Sequence, residues 1–131
     1  MQTTIKTNDP QKARAYFENK IAFTTGPVDL SHVLKSGEVI VVDVRETEDF
    51  EKGHIPGAIS LPRGNWDNPR GLSKDHNNVV YCYTQQCHLA ANACAAFASK
   101  GFPVMEMEGG FEAWKESELE VEEGRQLKAA A

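Results

Sequence analysis

The run Val39-Ile40-Val41-Val42-Asp43-Val44 limits what this chain can fold into more than any other stretch. Side chains branched at Cβ are stiff at χ1 and pack well on an extended backbone. An apolar run that does not alternate with polar residues suits a strand covered on both faces, the setting of a parallel sheet. Val79-Val80-Tyr81-Cys82 reads as a second buried strand. Shorter extended segments are expected at Ala58 to Leu61 and Pro103 to Met107.

Between these strands the pattern turns helical. Asn8 or Asp9 before Pro10 looks like a helix cap, and Ala13, Tyr16, Phe17 and Ile21 recur at helical spacing up to the break at Gly26-Pro27. A short helix is expected over 28–35, burying Leu30, Val33 and Leu34 and ending at Gly37. An acidic helix over 47–52 stops at Gly53, and residues 63–78 read as mostly loop. Residues 89–100 are alanine-rich and helical. Gly109-Gly110 opens a last helix through Phe111, Ala113 and Trp114. Strands alternating with helices define an α/β layered fold with a mostly parallel sheet.

A chain of 131 residues supports one domain with one core. Net charge is −5 with no basic stripe, so a nucleic-acid surface is not expected. The apolar runs are too short to cross a bilayer, and residues 1–9 lack the apolar stretch of a secretory signal. A cytoplasmic location is the expectation. Glu116, Glu118, Glu120, Glu122 and Glu123 give residues 118–131 the look of an acidic, flexible tail.

There are three cysteines, Cys82, Cys87 and Cys94. Without a signal segment, an odd and small number argues for reduced thiols rather than a disulfide framework. Cys82 ends a strand and precedes a polar stretch, Tyr83-Thr84-Gln85-Gln86-Cys87, before a helix begins near His88. In α/β sheets ligands bind at the carboxyl ends of strands. A helix start there offers unpaired N–H groups and a positive field, which should help a thiol ionise. A buried small residue at a strand end would look the same from spacing alone.

Residues 41–58, VVDVRETEDFEKGHIPGA, resemble the segment after the second strand of rhodanese-like domains. Residues 79–91, VVYCYTQQCHLAA, resemble that family's active-site strand, six-residue loop and helix, and 108–114, EGGFEAW, its last turn and helix. The resemblance implies a three-layer domain over 28–117, preceded by an extension with a helix over 1–27. It implies a sulfurtransferase or sulfur carrier that forms a persulfide on Cys82 and hands the sulfur to a thiol or other nucleophile. The substrate-binding set would be Tyr83, Thr84, Gln85, Gln86, Cys87, His88 and Arg45. No metal or organic cofactor is needed. The partners would be a small sulfur donor and a thiol or protein acceptor, with the chain a monomer or homodimer.

The loop departs from the family's common pattern. Tyr83 and Thr84 stand where thiosulfate-using members often carry basic residues, Gln85 stands for a common glycine, and Cys87 for a hydroxyl residue or arginine. A polysulfide or persulfide donor is therefore expected over thiosulfate. The resemblance places the sixth side chain near the Cys82 sulfur, so Cys87 is either a resolving thiol or a stand-in for serine. Arg45 is read chiefly as an ion-pair partner of a carboxylate such as Glu51, with Asp43 bonding a turn; the functional reading puts it at the pocket mouth. His54 is read as structural, His88 as a cap or spacer, and Cys94 as core.

Rival readings fare worse. Cys82 and Cys87 are too far apart for a zinc knuckle, and no second ligand pair exists. A covalent haem site needs a shorter cysteine spacing. Phosphatases of this fold use a loop one residue longer that ends in arginine, and His88 holds that position here. An interaction module or a thiol redox sensor using Cys82 and Cys87 is the alternative from another class.

Overall fold

The β-branched run forms the middle of the sheet in the computed structural model, which describes residues 5–125. Among those residues the strands are β1 (Thr24–Thr25), β2 (Val39–Asp43), β3 (Ile59–Ser60), β4 (Asn77–Tyr81) and β5 (Val104–Met107). They form one sheet in the order β1-β5-β4-β2-β3, with every pairing parallel. The helices are α1 (Pro10–Phe23), α2 (Pro27–Val33), α3 (Thr47–Lys52), α4 (Leu89–Ser99) and α5 (Gly110–Glu116). A single 3-10 turn covers Arg63–Asn65.

Side chains alternate across the sheet, and both faces are apolar because both are covered. Val41, Val79 and Tyr81 pack with Leu30 of α2, Phe50 of α3, and Phe111 and Trp114 of α5. Val42, Val44, Val80 and Cys82 pack with Ala90, Ala93 and Phe97 of α4 and with Leu61 and Trp66. The result is a three-layer α/β domain. The register pairs Val41 with Val79 and Asp43 with Tyr81, so β2 and β4 end level with each other at the carboxyl edge.

Four details depart from the sequence reading. Thr24 and Thr25 pair with Glu106 and Met107, so the expected N-terminal extension contributes the edge strand β1 to the domain. Helix α1 forms, capped by Asp9 through the Gln11 N–H, but none of its residues is buried, and Ile21 is 76% exposed. Strand β4 starts at Asn77, because buried Asn78 satisfies its amide on Ser73 and Pro103 and so is tolerated inside a strand. The expectation of a flexible tail from 118 is corrected for residues 118–125. There His54 and Glu122 exchange backbone hydrogen bonds, Gly124 N–H donates to Glu51, and Trp114 Nε1 donates to the Glu120 carbonyl. Exposed acidic side chains ride on an anchored backbone; the rest of that segment lies outside the described residues.

Candidate active site

The strand-to-helix transition after β4 is held from below by α5. The N–H groups of Phe111 and Glu112, which a helix start leaves without intrahelical partners, donate to the carbonyls of Cys82 (2.8 Å) and Tyr83 (3.1 Å). Gly110 makes this approach possible. Its φ is +64°, and a Cβ there would sit 2.6 Å from the Thr84 nitrogen and the Tyr83 carbonyl carbon. The Gly109 N–H donates to Gln85 Oε1. A turn from Cys87 N–H to the Thr84 carbonyl (3.2 Å) then folds the loop back over Cys82.

This fold-back brings the first and sixth loop positions together. Cys82 is 2% exposed, and its Sγ lies 3.4 Å from the Cys87 carbonyl oxygen, within reach of a thiol donor. The N–H groups of Ala90 and Tyr83 point at the Cys82 sulfur; those of Leu89 and Tyr83 point at the Cys87 sulfur. The α4 N-cap, His88, makes no side-chain capping bond, so the helix start serves the sulfurs.

The expected easy ionisation of Cys82 is corrected by this geometry. Burial pushes its thiol up to about 11, helped by hydrogen bonding and charge interaction with Cys87, and the Ala90 and Tyr83 amides oppose the rise without cancelling it. Cys87 moves the other way. Partial burial resists its ionisation, but the Cys82 thiol and the Leu89 and Tyr83 N–H groups outweigh burial and lower it. Cys87 therefore ionises first and is placed to accept the Cys82 proton.

The remaining loop residues divide. Tyr83 turns its side chain away from the sulfur: its hydroxyl donates to Asp49 and accepts from the Glu46 N–H (3.1 Å). Thr84 is partly buried and supplies the turn carbonyl, whereas Gln85, Gln86 and His88 are exposed. Cys94 is half-buried with its thiol toward the Met105 carbonyl, and burial pushes it up to about 12.

Arg45 is 4% exposed. Its ion-pair partner is Asp43 (2.8 Å) rather than Glu51, and the same guanidinium donates to the Gly53 carbonyl (2.6 Å). Asp43 also accepts the Arg45 backbone N–H at 2.8 Å, which is the turn expected of it. Burial disfavours the Arg45 charge, but Asp43 outweighs it and keeps the guanidinium protonated. Tyr81, also bonded to Asp43 and accepting the Ile55 N–H, is held neutral by burial and by that carboxylate. The guanidinium lies 4.2 Å from the Phe111 ring centroid and 5.7 Å from that of Tyr83. Arg45 thus props the loop from behind, spent on Asp43 and Gly53. His54 is buried, stacked on Phe50, with its ring nitrogens bonded to the Phe50 carbonyl and Glu122.

Three contributors escaped the sequence reading: Asp49 as the partner of Tyr83, Tyr81 as a member of the Asp43 network, and Gly110 as the contact beneath the loop. Only Gly110 left a signal, in the doubled glycine. Two clefts lie beside the site. One of about 300 Å³ runs between Tyr83, Lys52 and Lys115. Another of about 570 Å³ sits past β3 at Asn65 and Arg70. Neither is lined by Cys82. Among the described residues no group of His, Cys, Asp and Glu is arranged to hold a metal ion, and no helix is long and apolar enough to cross a membrane.

A central parallel strand followed by a cysteine, a six-residue loop and a helix start agree with the family comparison. Residues 27–117 match the Rhodanese-like domain, and the chain belongs to that family. It is 31% identical over 91 residues to Thiosulfate sulfurtransferase GlpE of Stutzerimonas stutzeri, covering 68% of this chain and 82% of that protein. It is 36% identical over 91 residues to HTH-type transcriptional regulator Rv0324 of Mycobacterium tuberculosis, covering 69% of this chain but only 40% of the regulator. The solved structure of BH2092 protein from Bacillus halodurans superposes with a TM-score of 0.80 at 38% identity, covering 94% of this chain and 92% of that one.

Proposed function

We propose that the domain is a sulfurtransferase or sulfur carrier in which Cys82 takes up a sulfane sulfur and passes it on. The observation that carries this is the pair of N–H groups, from Tyr83 and Ala90, aimed at a cysteine sulfur on the end of a central strand. Cys82 gives its proton to the Cys87 thiolate and attacks the donor's outer sulfur. The bond from that sulfur to the rest of the donor breaks, and the donor's remainder leaves with the electron pair. The persulfide left on Cys82 carries negative charge that the preorganised amides stabilise, as in other oxyanion-type sites. A nucleophilic acceptor then attacks the outer sulfur and frees Cys82. The proposed setting is the cytoplasm, where thiols stay reduced.

The donor follows from what residues 83–87 lack. They carry no lysine or arginine, and each charge-assisted hydrogen bond so forgone costs a dianion such as thiosulfate about 1.5–3 kcal/mol of capture. Polysulfide or a low-molecular-weight persulfide is the better donor in this reading. Incubation with thiosulfate, polysulfide and glutathione persulfide in parallel, followed by intact mass, tests it. The parent should gain one sulfur atom, most readily from the latter two, and Cys82→Ser should gain none. Equal labelling of the variant would refute the assignment. The similarity to a transcriptional regulator favours a second reading, a thiol sensor or interaction module. Absence of repeated turnover to cyanide from a loaded protein would select it.

A further inference from the structure

We propose that Cys87 is a resolving thiol, so that a Cys82 persulfide is converted within the loop to a Cys82–Cys87 disulfide with release of sulfide. The proposal rests on the persulfide reading above and adds an activity to it: dithiol-dependent reduction of sulfane sulfur.

The turn closing on Thr84 folds position 87 back, and the Cys82 Sγ reaches the Cys87 carbonyl at 3.4 Å. The Cys82 and Cys87 thiols hydrogen-bond each other, and the Tyr83 N–H serves both sulfurs. Each sulfur also has its own amide from the α4 start, Ala90 for Cys82 and Leu89 for Cys87, so charge is stabilised on either. Cys87 is partly exposed where Cys82 is buried, so a reductant in solution meets Cys87 first. The lowered proton affinity of Cys87 favours the thiolate that such an attack needs. Cys94 directs its sulfur to the Met105 carbonyl.

The step balances within the protein. The Cys87 thiolate bonds to the Cys82 Sγ, the bond from that Sγ to the outer sulfur breaks, and the outer sulfur leaves with the electron pair as hydrosulfide. The sulfane sulfur is reduced to sulfide while the two cysteine sulfurs are oxidised to a disulfide. A small-molecule dithiol then exchanges with the disulfide, becomes a cyclic disulfide itself and restores both thiols for another round.

The test loads the parent, Cys87→Ser and Cys82→Ser with inorganic polysulfide without air and removes the donor by desalting. Intact mass, released sulfide and a non-reducing peptide map are then followed. Cys87→Ser should retain one extra sulfur, while the parent releases sulfide and gains the Cys82–Cys87 disulfide. With a dithiol present, sulfide release from Cys87→Ser should be at least about tenfold slower, because a thiol in solution replaces a positioned one. A parent that keeps its persulfide as long as Cys87→Ser overturns the resolving role and leaves sulfur carriage standing. Sulfide release without that disulfide does the same. Failure of Cys87→Ser and of the parent to take up any sulfur removes the persulfide reading, and this proposal with it.

Discussion

Strands β2 and β4 end level with each other at the carboxyl edge of the sheet, yet they treat polar groups in opposite ways. The β2 end carries full charges and closes them on one another: Asp43 holds Arg45, and Arg45 holds Gly53. The β4 end carries no charged side chain from Cys82 to Cys87 and instead leaves backbone N–H groups aimed at two sulfurs. The closed end builds the scaffold, and the open end offers chemistry. Charge alone therefore marks the wrong neighbour, and the useful question is where each donor is spent.

Three substitutions would break or sharpen this contrast. The largest effect is expected from Asp43→Ala, which strands the buried Arg45 charge and should cost about 3–5 kcal/mol in chemical denaturation. A loss under about 1 kcal/mol would mean that the β2 end is not a closed unit. Gly110→Ala comes next. Strain at a positive φ, with a Cβ driven into the Thr84 nitrogen, should cost about 1–3 kcal/mol and slow sulfur uptake by shifting the loop. Unchanged uptake kinetics would show that the loop does not depend on α5. The smallest effect, with stability nearly unchanged, is expected from Cys87→Ser. Cys82 sits at about 11 through burial first and Cys87 second, so removing Cys87 should lower the pH midpoint of Cys82 alkylation toward the ordinary thiol range, while burial still holds it above. A midpoint that stays or rises would show that the two thiols do not share a proton.

Much of the fold was legible because its central strands are long, apolar and β-branched, so β2 and β4 declare themselves. Strand β1 did not, since two threonines beside Gly26 carry no periodicity and become a strand only by pairing with β5. The place of Cys82 between a central strand and a helix start was legible. The ionisation of its thiol was misjudged, because a local pattern shows the helix start but not the burial of the sulfur or the thiol that folds back beside it. Arg45 was assigned a carboxylate partner correctly in kind and wrongly in identity: Glu51 is near in sequence, but Asp43 shares its buried turn. The exposed acidic run past Trp114 looked free because much of its anchoring is made by backbone groups, which every residue has, and the side-chain partners His54 and Trp114 lie elsewhere in the chain.

The place of β1 in the sheet also sets an order of assembly. During synthesis α1 and β1 emerge before the other described strands, but β1 lies at the edge and pairs with β5, the last strand along the described chain. Such a contact closes a long loop, and its entropy must be offset by structure already in place. Strands β2, β4 and β5 are therefore expected to form first, with the leading segment docking last onto a finished edge. The same segment should be the first to open, so the amides of Thr24 to Gly26 are expected to exchange with solvent ahead of those at Val42 and Val80, through an opening that leaves the loop after β4 intact.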